Sequence, residues 1–308
     1  MSVNGIHHVT AIAGSPQGNV DFYVGVLGLR LVKRTVNFDD PLTYHLYYGT
    51  EMGAPGTILT FFAWPNAFRG RAGTGQVNAT GLAVPKGSIG WWEERFTTMR
   101  VKHDRPLERF GDKVLPFQDP DGMQLELVET EDGRPYWKGG GVPDEVAIRG
   151  MHGVTAHEEG YEMTAALLTE TLRFTLVGQE GNRFRYKAGD GAGGIDLVCT
   201  PDGRGARGGA GTVHHIAWRV PDDPDQVAWR KTLTSAGMNV SPVLDRQYFH
   251  SIYFREPGGV LFEIATDEPG FATDEAPEKL GEALKLPPWL EGAREQIEAG
   301  LEPIIVRG

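Results

Sequence analysis

Ile6-His7-His8-Val9-Thr10 lies over Met151-His152-Gly153-Val154-Thr155, and Leu27-Gly28-Leu29 lies over Leu172-Arg173-Phe174, so residues 6–32 and 151–177 align without a gap. Between these ends, Val20-Asp21-Phe22-Tyr23 and Glu162-Met163-Thr164-Ala165 sit in stretches whose apolar residues have helical spacing, and each copy reads strand, helix, strand. A second pair is as clear. Val77-Asn78-Ala79-Thr80 through Val84-Pro85 matches Val213-His214-His215-Ile216 through Val220-Pro221, Trp92 falls on Trp229 after a one-residue shift, and Leu107-Glu108-Arg109 falls on Leu244-Asp245-Arg246. At the ends, Asp119-Pro120-Asp121-Gly122 with Glu126 matches Glu256-Pro257-Gly258-Gly259 with Glu263. Both are turn sequences between alternating apolar residues, which is a hairpin pattern.

The four modules occupy roughly 5–65, 76–130, 149–201 and 212–267, and each is too small to bury a core alone. They must pair. The expected class is α+β, with four βαβββ modules paired into two incomplete-barrel halves and a C-terminal helical tail. The expected divisions are an N-terminal module pair over 1–141, a C-terminal module pair over 142–267, and the tail over 268–308. In that tail, Pro287-Pro288-Trp289-Leu290-Glu291 precedes a short amphipathic helix over 293–301, with Pro303 beyond it. Gly189-Asp190-Gly191-Ala192-Gly193-Gly194 and Gly203 through Gly208 both fit G-x-G-x-x-G, but each leads into a strand where a dinucleotide site needs a helix N-terminus. They read as turns.

A net charge of -11 over 308 residues argues against a nucleic-acid partner, which needs clustered Lys and Arg, and favours a small-molecule ligand. The single cysteine, Cys199, allows no intrachain disulfide and reads as core. Met1-Ser2-Val3-Asn4-Gly5 runs into a strand with no basic region or apolar stretch, and no window approaches a membrane span. The expected location is cytoplasmic.

The repeats supply an internal control, because a residue present in every copy is structural while one kept in some copies marks a site. The second position of the double-residue strand is His8, Ala79, Gly153 and His215 in modules one to four. The carboxylate after the last turn is Glu126 or Glu263 in modules two and four, and alignment puts Phe61 and Leu197 in its place in modules one and three. If modules one and four face each other, His8, His215 and Glu263 converge and Phe61 fills the fourth place. Two imidazoles and one carboxylate with open positions make the facial arrangement of non-haem Fe(II) oxygenases. Strand alternation puts His8 on a face with Ile6 and Thr10, and His215 with Val213 and Ala217, while His7 and His214 point the other way or line the rim. Pairing modules two and three assembles Ala79, Glu126, Gly153 and Leu197, which cannot hold a metal. One centre per chain is expected.

The run from Gly5 to Pro65, the segment Asp245-Arg246-Gln247-Tyr248-Phe249-His250-Ser251-Ile252-Tyr253-Phe254-Arg255-Glu256-Pro257-Gly258-Gly259 to Asp267, and Leu286-Pro287-Pro288-Trp289-Leu290 carry a family resemblance. Over nearly its whole length the chain resembles ring-cleaving, extradiol-type dioxygenases of the vicinal-oxygen-chelate (glyoxalase and bleomycin-resistance) superfamily, in particular the para-hydroquinone 1,2-dioxygenases. The resemblance implies metal ligands at His8, His215 and Glu263, with surrounding catalytic roles for His7, Thr10, His214, Arg246 and Tyr253. Arg246 recurs as Arg109 in a module without a metal site, which sets a structural role beside the catalytic one, whereas Tyr253 aligns with Pro116, which favours a role peculiar to the active half. Trp229, with Trp92 as counterpart, reads as helix-packing core.

The implied activity is opening of a hydroquinone or catechol-type ring with incorporation of both atoms of O2, using Fe(II), with Mn(II) as second choice. His7, His214 or Tyr253 would take the phenolic proton. The partners are a small aromatic diol and O2, with no nucleic acid and no membrane; the amphipathic tail leaves a homo-oligomer open. Two rivals stand beside this reading. A glyoxalase-like isomerase with Zn(II) or Ni(II) would close four protein ligands around its metal, and a metal-free protein that sequesters an aromatic drug would have no need of the three ligands together.

Overall fold

Four copies of one unit are present in the computed structural model, which describes residues 3–306; Met1 and Ser2 of the N-terminal segment read above lie outside the described residues. In the first copy β1 (Ile6–Ala13) leads into α1 (Pro16–Val20), continued by a π-helical turn over Asp21–Val26, then β2 (Arg30–Asn37), β3 (Asp40–Gly49) and β4 (Ile58–Ala63). The second has β5 (Gln76–Pro85), α2 (Ile89–Thr98), β6 (Leu107–Arg109), β7 (Asp112–Gln118) and β8 (Gln124–Thr130). The third has β9 (Gly150–Glu158), α3 (Glu162–Ala166) with a π-helical turn over Leu167–Thr171, β10 (Thr175–Glu180), β11 (Arg183–Lys187) and β12 (Gly194–Cys199). The fourth has β13 (Thr212–Val220), α4 (Asp223–Ser235), β14 (Leu244–Asp245), β15 (Phe249–Arg255) and β16 (Leu261–Pro269). Local chemistry sets the helix starts. Ser15 accepts from the Gly18 N–H before α1 and Asp222 from the Asp225 N–H before α4, each with a proline in the first turn.

The strands form two eight-stranded sheets, ordered β14-β15-β16-β13-β1-β4-β3-β2 and β10-β11-β12-β9-β5-β8-β7-β6. Each curls into a half-barrel. Module one thus joins module four through the antiparallel pair β1–β13, and module two joins module three through β5–β9. A division at 141/142 does not follow the sheets, because each sheet takes one module from either side of it. Modules adjacent in sequence meet through their helices instead. Tyr23 of the first helical segment lies 4.5 Å ring to ring from Phe61 of the first sheet, while Phe22 stacks on Phe117 of the second, and Arg95 of α2 donates to the Gly25 and Val26 carbonyls. The main core lies in this layer, and both Trp92 and Trp229 are buried within it, as their repetition implies.

The glycine-rich stretch at 189–194 is a turn, as expected, whereas Gly203 to Gly208 is not a turn but a bridging segment. Gly191 packs so tightly against the backbone of Asn4 that a Cβ would lie 1.9 Å from its carbonyl oxygen, and the Ile6 N–H donates to Ala192. Around Gly203 to Gly208 the chain bridges to the 69–74 linker, with Arg207 stacked over Phe68 at 4.4 Å.

The tail is latched rather than loose. Phe271 packs on Tyr47 and Tyr248, and the fully buried Lys33 of β2 places Nζ 2.6 Å from both Asp274 and Glu275. The expected short helix is α5 (Arg294–Gly300), which buries Ile297 against Val36 and Leu286. Among the described residues no helix is long and apolar enough to cross a membrane.

Candidate metal centre

On the concave face of the first sheet β1 and β13 lie side by side at the middle, and each carries a β-bulge at the first histidine of its pair. The register of β1 skips His7 and that of β13 skips His214. A bulge inserts one residue and breaks the alternation of faces. The expected sharing of a face by His8 with Ile6, and by His215 with Val213, is therefore corrected: Ile6 and Val213 belong to the helix-side core while His8, Thr10 and His215 line the cavity. The same device recurs in the second sheet, where β5 skips Asn78 and β9 skips His152.

His8, His215 and Glu263 converge as expected, and all three are buried. Nε2 of His215 lies 2.9 Å from Glu263 Oε2, Nε2 of His8 lies 3.3 Å from the same oxygen, and the two Nε2 atoms are 3.4 Å apart. Bonds of about 2.1 Å meeting a cation at right angles put their donor atoms about 3 Å apart. The triangle therefore has the size of one face of an octahedron. Glu263 Oε1 accepts from the Ser251 hydroxyl, whereas the buried Oε2 has no hydrogen-bond partner among the described residues. Such an orphaned acceptor facing two imidazole nitrogens fits a divalent cation. Burial works against ionising Glu263, but His8 and His215 outweigh it and hold the carboxyl well below its usual range. Burial also lowers the His215 pKa, which favours the neutral imidazole that coordination requires.

Behind each ligand stands its neighbour. His7 Nδ1 is 2.9 Å from His8 Nδ1, and His214 Nδ1 is 2.8 Å from His215 Nδ1. With Nε2 of each ligand directed at the cation site, its Nδ1–H donates backward, so His7 and His214 fix ring tautomer and orientation. Burial, then the adjacent ligand, holds His7 well below its ordinary value and brings His214 to about 3. Neutral imidazoles at these positions can accept that Nδ1 hydrogen, His7 from behind His8 and His214 from behind His215, and His214 also lines the cavity. Replacing His7 or His214 by Ala is expected to weaken metal affinity about 10- to 100-fold without abolishing binding, measured by competition with a chelator of known affinity.

Arg246 and Tyr253 stand at the mouth. Tyr253 faces Glu263 across β15–β16 and sets its ring edge-on to His215 at 5.6 Å. Arg246 Nε donates to the Tyr253 hydroxyl at 3.3 Å and Nη1 to Asp39 at 3.1 Å, and burial together with Glu263 pushes the Tyr253 phenol well up. Arg246 and Tyr253 both line the cavity. A cavity of about 340 Å3 opens beside the ligands, lined also by Thr10, His45, Tyr47, Phe62, Trp64 and Phe249. Sequence reading missed His45, Tyr47, Ser251 and Phe249, since none recurs in a pattern that marks it. Phe249 lies on both His7 and His8, with ring centroids 5.1 and 5.0 Å away.

The fourth place also needs correction. Glu263 pairs across the parallel strands with Ala217, two residues past His215, and the residue pairing with Thr10, two past His8, is Thr60. Phe61 points to the helices instead. The Thr60 hydroxyl donates to Thr10 Oγ1 at 2.9 Å, so a short hydroxyl occupies the position where a fourth protein ligand would stand.

By the same register the second sheet brings together Ala79, Glu126, Gly153 and Asp196, not Leu197. Guanidinium groups supply the positive charge there. Arg109 Nη1 is 2.7 Å from Glu126, and Arg183 and Arg185 lie 3.0 and 2.8 Å from Asp196. Arg109 thus balances the carboxylate that corresponds to Glu263. Arg109→Leu is expected to lower unfolding free energy on the order of 2 kcal/mol, and Arg109→Leu with Glu126→Leu to recover most of it, in denaturant melts.

A family profile described as the Glyoxalase/Bleomycin resistance protein/Dioxygenase superfamily matches residues 5–127 and 158–264. The chain is 54% identical over 305 residues to a Bacillus subtilis protein named for ring-cleaving dioxygenase activity, MhqO, covering 98% of this chain and 97% of that one. It is 38% identical over 315 residues to the chlorohydroquinone/hydroquinone 1,2-dioxygenase of Sphingobium indicum, covering 99% and 98%. A crystal structure of a Bacillus subtilis protein described as a dioxygenase superposes with a TM-score of 0.96 at 53% identity, over 99% of each chain. Maize glyoxalase I, at 14% identity and a TM-score of 0.63 over 86% of this chain and 92% of its own, shares the fold. By its repeated modules, its centre and these similarities, the chain belongs to the glyoxalase, bleomycin-resistance and dioxygenase superfamily.

Proposed function

We propose that this protein is a non-haem Fe(II)-dependent dioxygenase that opens the ring of a hydroquinone or catechol-type diol with O2. The observation that carries the reading is the buried triangle of His8 Nε2, His215 Nε2 and Glu263 Oε2, whose edges of 3.3, 2.9 and 3.4 Å fit one face of an octahedral site. The names of the relatives point the same way. His8, His215 and Glu263 would hold the iron, which when bound supplies adjacent open positions for a ring oxygen and O2 and electronic coupling between them. The fourth protein position carries Thr60, which speaks against a glyoxalase-like isomerase with four protein ligands.

The protein groups bind, orient and exclude water. Phe62, Trp64 and Phe249 make walls on which an aromatic ring can lie, and the cavity volume suits one ring with small substituents. Tyr253 and Thr10 are the hydroxyl donors facing that space, and Arg246 steadies Tyr253. The Tyr253 phenol, held neutral, can donate to oxygen where negative charge develops. The testing experiment loads the protein anaerobically with Fe(II), screens hydroquinone, substituted hydroquinones and catechols for oxygen uptake, and identifies the ring-opened product. One O2 consumed per ring opened is the expected result, and oxygen uptake with no diol of the series overturns the reading. Tyr253→Phe is expected to lower kcat about 100-fold with a smaller change in KM, checked in the same assay.

A further inference from the structure

A chain of neutral hydrogen bonds runs along the first-module wall of the cavity and ends beside the ligands. The Tyr47 hydroxyl is 2.9 Å from His45 Nδ1, His45 Nε2 is 2.8 Å from Thr60 Oγ1, and the Thr60 hydroxyl donates to Thr10 Oγ1 at 2.9 Å. Thr10 sits two residues beyond His8 on the same strand and pairs with His215 across the sheet. The hydrogen bonds of Tyr47, His45 and Thr60 run to one another and to Thr10 rather than to the ligand atoms.

The polarity of the chain follows from its members. A phenol is a good donor and a poor acceptor, while a bare imidazole nitrogen is a good acceptor, so Tyr47 donates to His45 Nδ1. Burial, then the neighbouring histidines, holds His45 well below its ordinary pKa, leaving one ring hydrogen, which must be on Nε2. Nε2–H then donates to Thr60, Thr60 donates to Thr10, and Thr10 keeps its own hydroxyl hydrogen free for the cavity. With the opposite tautomer each bond reverses, and Thr10 would show the cavity a lone pair.

The second barrel is an internal comparison. The strand registers place Arg183 where His45 stands, Arg185 where Tyr47 stands, Asp196 at Thr60 and Thr155 at Thr10. There Arg183 Nη1 donates directly to Thr155 Oγ1 at 2.9 Å and to Asp196 at 3.0 Å. In both barrels the threonine receives a hydrogen bond. Only in the barrel with the ligands is the donor train uncharged, so it adds no cation to a site that must take one from solution.

We propose that His45 is a positioning residue: through Thr60 it turns the Thr10 hydroxyl so that Thr10 offers its hydrogen, rather than a lone pair, to a substrate oxygen beside His8. This rests on the reading of the cavity as a diol site, and Tyr47 sets the His45 tautomer that the arrangement needs.

Two measurements test it. Nitrogen-15 histidine NMR of the full chain loaded with diamagnetic Zn(II) is expected to show His45 as the Nε2–H tautomer in wild type, and loss of that preference in Tyr47→Phe. An Nδ1–H tautomer in wild type overturns the proposal whether or not any diol is turned over. In the Fe(II)-loaded protein, His45→Phe and Thr10→Val are each expected to lower kcat/KM with hydroquinone about tenfold or more, and the double variant to lose no more than the worse single. His45→Gln, whose amide N–H can serve Thr60, is expected to recover most of the loss. Losses that multiply in the double variant, or wild-type kinetics in His45→Phe, overturn the role. Wild-type protein that takes up no oxygen overturns the dioxygenase reading instead, and the tautomer result then stands or falls by itself.

Discussion

Replacing Glu263 by Ala is expected to abolish stoichiometric iron binding and oxygen uptake together, and His215→Ala to do the same, with residual activity below about one hundredth of wild type. The size of the effect comes from geometry. Three protein atoms alone face the cation site, and removing any one leaves two donors in a buried space with no other carboxylate or imidazole of the described residues close enough to substitute. Glu263→Ala also removes the one carboxylate that, among the described residues of the cluster, would balance the cation. Iron content after anaerobic loading and desalting, measured with oxygen uptake on the same sample, checks this. Full iron occupancy in either variant, whatever its activity, would overturn the ligand assignment. Ser251→Ala is the graded control, because it frees Glu263 Oε1 while leaving Oε2 in place, and is expected to cost affinity about 10- to 100-fold.

Glu158→Gln stabilises the protein, and more so as pH rises. Glu158 ends β9 fully buried against Gly258, where a Cβ would lie 2.5 Å from its carboxyl carbon. The nearby Thr164 hydroxyl goes to Glu256, and neither Glu158 oxygen has a hydrogen-bond partner among the described residues. Burial, reinforced by the charge of Glu256, raises the Glu158 pKa from 4.5 to about 8. The folded protein therefore keeps a proton that the unfolded chain gives up. Its stability is fully present below about pH 4.5 and is lost progressively as pH rises towards 8. Gln keeps the shape without the charge. The gain is expected to be on the order of 3 kcal/mol at pH 8 and near zero at pH 4.5, discounted for relaxation of the native site. Urea melts of both proteins across that range check it, and a pH-independent difference would count against the buried-acid account. In the repeat, Ala13 occupies the corresponding position, so the fold itself does not require an acid there.

Much of the architecture was legible because it is written four times. The strand-helix-strand copies in residues 6–32 and 151–177 and the turns before Glu126 and Glu263 gave the module, and unequal retention of histidine at positions 8, 79, 153 and 215 gave the candidate ligands and the pairing of first with last. What misled was one-residue register. Alignment of the repeats puts Phe61 and Leu197 at the position of the carboxylates, and only the ladder shows that Thr60 and Asp196 stand there and face inward. The bulges at His7 and His214 were equally hidden, since simple alternation gives no sign of the extra residue that lets two consecutive histidines meet at Nδ1.

Composition and repetition by themselves determined the class of fold, the number of modules and the three candidate ligands, because periodicity and the unequal keeping of residues between copies are properties of the chain. The tertiary structure alone decided which side chains surround them. His45, Tyr47, Thr60 and Ser251 come from strands remote in sequence from one or more of the ligands, and their hydrogen bonds depend on distances set only when the sheet curls. The difference between a barrel that fits a cation and one filled by Arg109, Arg183 and Arg185 was decided at that level too, because a charged group can stand in for a cation only when folding brings it to the same few ångströms.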